Sequence, residues 1–330
     1  MEDSKLARKR GELMKRLLVT GGAGFIGQNL IKAALKSGWF VRSFDLVETS
    51  GIEHPSFEYI QGDVLEEKEV RLALKGCDAV VHLAAQVSVQ RSFEAPKETM
   101  DINVKGTANV LDACKDLKIK RLIVASSAAV YGDQDSFPLL EELGGHFLSP
   151  YAESKWINEK QVVQARKEGM QAVALRFFNV YGPGQSTNGG YAAVIPKFIE
   201  LMCAQKSPTV YGDGSHSRDF IHIDDLNTAI LELLDLPWNE ELSHVYNLAT
   251  QSEISLLRLI DVINHSLLHK NIIKIPIEPN FTSEREGDIV RSLASIERIC
   301  SILNWRPKTD FQKAIDDLTE LELRKEELGD

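Results

Sequence analysis

Short apolar runs alternate with amphipathic stretches through the first half of this chain. The runs predict strands over residues 16–20, 40–45, 57–61, 79–83, 121–126 and 172–177. Apolar positions recur at helical spacing between them, predicting helices over 25–37, 66–74, 95–117 and 152–168. Strand runs that are apolar throughout, joined by helices, imply a parallel sheet covered on both faces. The fold class is therefore α/β, a doubly wound parallel sheet. Beyond Asn179 the pattern breaks up at Gly182-Pro183-Gly184 and Asn188-Gly189-Gly190. Short mixed elements follow, with a helix over 311–323 and one strand over 244–248 that returns to the main sheet. We divide the chain into a tail (1–13), a sheet domain (14–178, with a returning segment near 220–250) and a smaller mixed α/β lobe (179–219 and 251–330) that binds substrate. The charged tail reads as mobile or as a short surface helix.

The first strand runs directly into Gly21-Gly22-Ala23-Gly24-Phe25-Ile26-Gly27. Gly21, Gly24 and Gly27 fall three apart, between a strand and a helix. Glycine lets backbone approach a pyrophosphate, and the helix end offers free N–H groups and a positive dipole end. A bound dinucleotide follows from that context. Asp45 ends the second strand, about twenty residues past the turn, where a carboxylate accepts from ribose hydroxyls and repels a 2′-phosphate. The cofactor is therefore NAD rather than NADP. Asp63, after the third strand, is placed to meet the adenine amino group. Leu83, Ala84 and Ala85 end the fourth strand, and its two alanines let a cofactor lie against the backbone.

Tyr151 and Lys155 are four apart and share one face of the helix that opens near Pro150. An ammonium beside a phenol stabilises the phenolate, which can then act as a general base toward a hydroxyl. Ser127 lies where the fifth strand ends, at the sheet edge where ligands bind.

Composition narrows the setting. The chain has 330 residues, 43% of them hydrophobic, and a net charge of -10 with no basic stripe. Nucleic acid is an unsuitable partner on electrostatic grounds. No apolar run is long enough for a bilayer, and no signal peptide precedes the first strand, so a cytoplasmic protein is expected. Cys77, Cys114, Cys203 and Cys300 are scattered, and no metal-ligand spacing occurs among the histidines; no metal is expected.

Taken together, these motifs resemble the extended short-chain dehydrogenase/reductases of the NAD-dependent nucleotide-sugar epimerase/dehydratase group. The resemblance covers nearly the whole chain. It rests on the Thr20–Gly27 turn, Ser126-Ser127-Ala128-Ala129-Val130-Tyr131-Gly132, Tyr151-x-x-x-Lys155, Arg176-Phe177-Phe178-Asn179-Val180-Tyr181-Gly182-Pro183, Gly212–Phe220 and Arg285-Glu286-Gly287-Asp288. It implies Ser127, Tyr151 and Lys155 as the catalytic set. The cofactor set is Gly21, Gly24, Phe25, Ile26, Gly27, Asp45, Asp63, Val64, Leu83, Ala84, Ala85, Asn103, Ser126, Tyr151, Lys155 and Phe178, with Asn103 structural or on the cofactor side. The substrate set is Ser88, Ser127, Asn179, Gln185, Val194, Tyr211, Arg218, Arg285, Asp288 and Ser292. Arg218 and Arg285 suit a diphosphate, Asn179 donates to the same phosphates, and Tyr211 packs on the base, usually uracil.

Dehydratases of the group carry an acid pair directly after the catalytic Ser/Thr, and decarboxylases usually keep a glutamate there. Here those positions are Ala128 and Ala129, which cannot move protons. The expected activity is therefore C4 epimerisation of a UDP-hexose through a transient 4-keto sugar. A serine at 292, where a bulky tyrosine excludes N-acetyl groups, leaves room for UDP-N-acetylglucosamine beside UDP-glucose. UDP-glucuronate stays open, as do a keto-forming dehydratase or dehydrogenase and, from another class, a non-catalytic NAD-binding sensor. The resemblance also implies a homodimer, paired through a four-helix bundle of helices 95–117 and 152–168.

Overall fold

The structure is a computed structural model, and it describes residues 15–328 except 50, 120, 187–192, 240 and 285–288. The expected Arg285 and Asp288 contacts, the tail 1–13 and the Asn188–Gly190 break lie outside the described residues.

Seven strands form the main sheet, in the order β10-β6-β5-β4-β1-β2-β3. They are β1 (Arg16–Thr20), β2 (Phe40–Asp45), β3 (Phe57–Gln61), β4 (Ala79–His82), β5 (Arg121–Ser127), β6 (Ala172–Phe177) and β10 (Val245–Leu248). Parallel registers join β1 with β2 and β4, β2 with β3, and β4 with β5. The first three strands occupy the expected residues, and the later return to the sheet is present as β10. Leu17, Leu18, Val19, Val80 and Val81 are fully buried, which is why these strands read as unbroken apolar runs.

Helices α1 (Phe25–Lys36), α2 (Glu67–Leu74), α3 (Val89–Glu94), α4 (Pro96–Met100), α5 (Gly106–Asp116) and α6 (Pro150–Lys167) accompany these strands. One expectation needs correction. The helix expected over 95–117 is not one α-helix: Asp101–Lys105 form a π-helical turn between α4 and α5. Such single π-turns inside helical segments are frequent at functional sites.

The chain divides into two compact units. The first comprises residues up to Val130, Ser149–Arg176 and Asn227–Tyr246. Its core joins Leu18, Val70, Leu74, Val110, Leu122 and Val162. The second comprises Tyr131–Leu148, Phe177–Leu226 and Asn247 onward. It holds a small sheet of β11 (Glu253–Ser255), β9 (Ser217–His222) and β7 (Asn179–Tyr181), and a pair of β12 (Asn280–Thr282) with β8 (Thr209–Tyr211). Its helices include α7 (Val194–Cys203), α9 (Leu256–His269) and α11 (Phe311–Leu328), with α8 (Ile223–Asp235) starting in it and α10 (Glu297–Cys300) a single turn. Ile195, Phe198, Leu259, Ile263 and Ile315 are at its core. Among the described residues, no helix is long and apolar enough to cross a membrane.

Candidate active site

The glycine turn is built by close backbone approaches. Gly21 has φ +69°, and a Cβ on it would stand 2.7 Å from the Ala84 amide nitrogen. A Cβ on Gly27 would stand 2.2 Å from the Gly21 carbonyl oxygen, so only glycine lets α1 start this close to β1. Gly24 is different: it is exposed, and its Cβ would meet nothing nearer than the Gly21 oxygen at 3.3 Å. It is the N-cap of α1, with no side-chain cap and no acidic residue in the first turn. Phe25 and Ile26, both half-buried, are the first residues of that turn. The result is an uncapped helix N-terminus with a glycine floor, a cradle that fits a pyrophosphate. Asp45 closes its side. One carboxylate oxygen accepts from the Ala23 amide at 3.0 Å and the other from Val47 at 3.2 Å.

Asp63 accepts from the Leu65 amide at 2.9 Å, and Val64 is buried beside it. Leu83, Ala84 and Ala85 are half-buried at the end of β4. Thr20 organises that end. Its hydroxyl accepts from the Leu83 and Ala84 amides, each at 3.2 Å, and donates to His82 Nδ1 at 2.7 Å. His82 Nε2 is then the protonated nitrogen and donates to Thr107 at 3.0 Å. Thr107 donates its hydroxyl hydrogen bond to the Asn103 carbonyl at 2.6 Å. Every role along this chain suits a neutral imidazole. Burial, reinforced by the Lys155 charge, pulls the His82 pKa down to about 3.

Asn103 sits in the π-helical turn, 1% exposed. Its side-chain oxygen accepts from the Gln86 amide, and its Nδ2 donates to the Gln86 carbonyl and to Ser154 Oγ. Its backbone oxygen also takes Asn158 Nδ2 at 2.8 Å. Ser154 in turn donates to the Tyr151 carbonyl at 2.7 Å. Asn103 thus ties the segment after β4 to the helix that carries Tyr151 and Lys155.

Helix α6 begins at the expected place. Ser149 caps it, accepting from the Ala152 amide at 3.2 Å, and Pro150 occupies the first turn. Lys155 is 5% exposed and its Nζ lies 6.0 Å from the Tyr151 ring centre. It donates to the Ala125 carbonyl at 2.9 Å, and burial lowers its pKa to about 8. Ser127 ends β5, half-buried, its Oγ accepting from the Ala129 amide at 3.2 Å. Ser126, expected on the cofactor side, donates through its hydroxyl to Glu159 at 2.6 Å. Ser88, expected near the sugar, caps α3 by accepting from the Arg91 amide. Neither Glu159 nor His82 stood out in the sequence. The spacing Tyr151, Lys155, Glu159 on one helical face was the available signal for the first.

In the second unit, β9 gathers several expected substrate residues. Arg218 lies on it. Asn179 lies in register beside Phe220, and its Nδ2 reaches the Asp219 carbonyl at 3.2 Å. Ser292, 6% exposed, donates its amide to the Ser217 carbonyl at 3.2 Å. Fully buried Asp219 accepts from the Thr250 amide and hydroxyl, the Gln251 amide and the Ala294 amide, so it locks these segments together. Tyr211 ends β8 opposite Thr282. Val194 opens α7, half-buried. Gln185 donates to the Val180 carbonyl, and Phe178 is buried against the Tyr131 ring at 6.0 Å.

Known proteins carry the same pattern. Residues 17–249 match the NAD dependent epimerase/dehydratase family. The UDP-glucose 4-epimerase of Mycolicibacterium smegmatis is 29% identical over 91% of this chain and 96% of its own length. A solved UDP-N-acetylglucosamine 4-epimerase from Methanobrevibacter ruminantium M1, in complex with UDP-N-acetylmuramic acid, superposes with TM-score 0.87 at 32% identity, covering 95% of this chain and all of that one. The UDP-glucuronic acid 4-epimerase of Bacillus cereus, with UDP-glucuronic acid and NAD, gives TM-score 0.83 at 27% identity over 94% and 99% of the two chains. The cradle, the Asp45 carboxylate and the Tyr151–Lys155 helix thus stand in a matching fold, and the chain belongs to the NAD dependent epimerase/dehydratase family.

Proposed function

We infer that the protein is a 4-epimerase of a UDP-hexose, with UDP-N-acetylglucosamine and UDP-glucose as the leading substrates. The observation that carries this reading is the pairing of buried Lys155 with Tyr151 on α6, next to a strand end whose following residues are Ala128 and Ala129. Bound NAD supplies the hydride acceptor and then the donor. Gly21, Gly24 and Gly27 shape its pyrophosphate seat, and Asp45 faces its ribose. Tyr151 takes the proton of the sugar C4 hydroxyl, held ionised by the Lys155 ammonium. Ser127 hydrogen-bonds the C4 oxygen. The 4-keto sugar turns over while Arg218 and Asn179 hold the diphosphate and Tyr211 packs on the base, and Tyr151 returns the proton. Removing water from C5 and C6 would need an acid and a base after Ser127. Two alanines supply neither, which sets dehydration aside. The room left by Ser292 favours an N-acetylated sugar.

The purified protein should be incubated separately with UDP-N-acetylglucosamine, UDP-glucose and UDP-glucuronate, and the products resolved by NMR. Inversion at C4 is expected, and its absence with all three overturns the reading. Ser292→Tyr should lower kcat/KM for the N-acetyl sugar relative to UDP-glucose by roughly tenfold or more. An unchanged ratio removes Ser292 from the sugar pocket. A homodimer through α4–α6 completes the proposal. Trp156 and Val163, seven apart on α6, are half-buried in the single chain and suit such a face. Light scattering should give twice 36.9 kDa.

A further inference from the structure

Three buried polar side chains lie directly behind the candidate catalytic residues. Ser126, Glu159 and Arg176 are 3%, 2% and 1% exposed. Ser126 Oγ donates to Glu159 Oε1 at 2.6 Å. Arg176 grips the same carboxylate with both arms, Nε to Oε1 and Nη2 to Oε2, each at 2.8 Å. The Trp156 ring lies 5.8 Å from the guanidinium carbon. Burying two charges is costly, and replacing such a pair by apolar residues is often neutral or stabilising. Stability alone is therefore a weak reason for this cluster, and its position suggests another.

Glu159 follows Lys155 by four residues, as Lys155 follows Tyr151, so all three share one face of α6. Lys155 is bonded to the Ala125 carbonyl and Glu159 to the Ser126 hydroxyl. The helix and β5 are joined at two successive strand residues, and the next residue is Ser127. Ser126 and Ser127 are linked by one peptide bond at the end of β5. Holding the Ser126 hydroxyl against Glu159 therefore fixes the backbone from which the Ser127 side chain leaves. Arg176, on neighbouring β6, orients the carboxylate and fixes its height along the helix.

We propose that Ser126, Glu159 and Arg176 are positioning residues that set the register of Ser127 against Tyr151 and Lys155. They touch neither substrate nor the reacting atoms. The proposal rests on Ser127, Tyr151 and Lys155 acting together.

Three variants test it on the NAD-loaded protein, with whichever sugar the wild type inverts. Ser126→Ala removes the hydroxyl. Ser126→Thr keeps it. Glu159→Leu with Arg176→Met replaces the ion pair by apolar packing. Ser126→Ala and the double variant should lose roughly tenfold or more in kcat, with KM within about twofold and NAD content and melting temperature retained. Ser126→Thr should stay within about threefold of wild-type kcat. Wild-type kcat in both Ser126→Ala and a folded double variant would overturn the proposal. So would losses that follow the melting temperature, or an equal loss in Ser126→Thr. If the double variant fails to fold, the Ser126 pair decides alone. A wild type that inverts none of the sugars would count against the proposed function instead, which keeps the two failures apart.

Discussion

The Lys155 ammonium donates to the Ala125 carbonyl at 2.9 Å, which places a cation under the Tyr151 ring and two residues from Ser127. Burial lowers its pKa to about 8, against an ordinary 10.5. The folded state therefore holds this proton less tightly than the unfolded state. The stability cost is fully present below pH 8 and fades as pH rises toward 10.5. Lys155→Met should abolish turnover while raising the unfolding free energy of the protein at pH 7 by about 1–3 kcal/mol. Urea denaturation beside an epimerisation assay checks both; a destabilised variant would mean that the bond to Ala125 outweighs desolvation.

Tyr151→Phe removes only the phenolic oxygen. The half-buried ring and the Ser154 bond to the backbone of residue 151 need no hydroxyl, so the site should keep its shape. Turnover should fall by about 10³-fold or more. NAD released on denaturation should match the wild type mole for mole. Surviving turnover would assign the base elsewhere.

The glycines separate fold from binding. In Gly27→Ala the new methyl would meet backbone at 2.2 Å, so the turn itself must move; lower melting temperature and lost NAD are expected together. In Gly24→Ala the new methyl would stand 3.3 Å from the Gly21 carbonyl oxygen, a tight contact that a shift of a few tenths of an ångström relieves, and the position is exposed. That variant should keep its apo melting temperature and lose NAD affinity alone. Calorimetry with and without added NAD distinguishes the two patterns.

His82 predicts an acid limit on stability. Its folded pKa is about 3 and the unfolded value 6.5. The unfolded chain takes up the proton first, so the stability contributed by neutral His82 is intact above pH 6.5 and is lost as pH falls toward 3. This one group should remove about 1.4 kcal/mol of unfolding free energy per pH unit in that window. In His82→Gln the denaturant-derived slope between pH 6 and 4 should flatten by about one proton; an unchanged slope would show that another group titrates.

Much of the sheet was legible because the strands of a doubly wound sheet are apolar on both faces. Arg16–Thr20 and Phe40–Asp45 could be bounded by that alone. The Ser149 cap was first seen in the structure, but helix α6 announced its own start through Pro150. The π-helical turn did not, because Asp101–Lys105 has ordinary helical composition. Its displaced carbonyl is met by Thr107 and by Asn158 from another helix, and that contact is tertiary. The partners of Ser88 and Ser126 were hidden for the same reason: the resemblance alone placed Ser88 near the sugar and Ser126 beside the cofactor, while the bonds of their hydroxyls to the Arg91 amide and to Glu159 appear only in the folded chain. Arg176 could be seen only as part of a family motif, since nothing near it in the chain is its partner.

Asp45 holds the Ala23 amide, so the carboxylate proposed to face the ribose is also a brace for the loop that would receive the pyrophosphate. A loop already set in its receiving shape loses little conformational freedom when the dinucleotide arrives. Affinity gained in that way appears mainly as slow departure. For the 4-epimerase proposed above, which would consume no net oxidant, slow departure is an advantage: one loading serves many turnovers, and flux need not follow the surrounding ratio of oxidised to reduced nicotinamide.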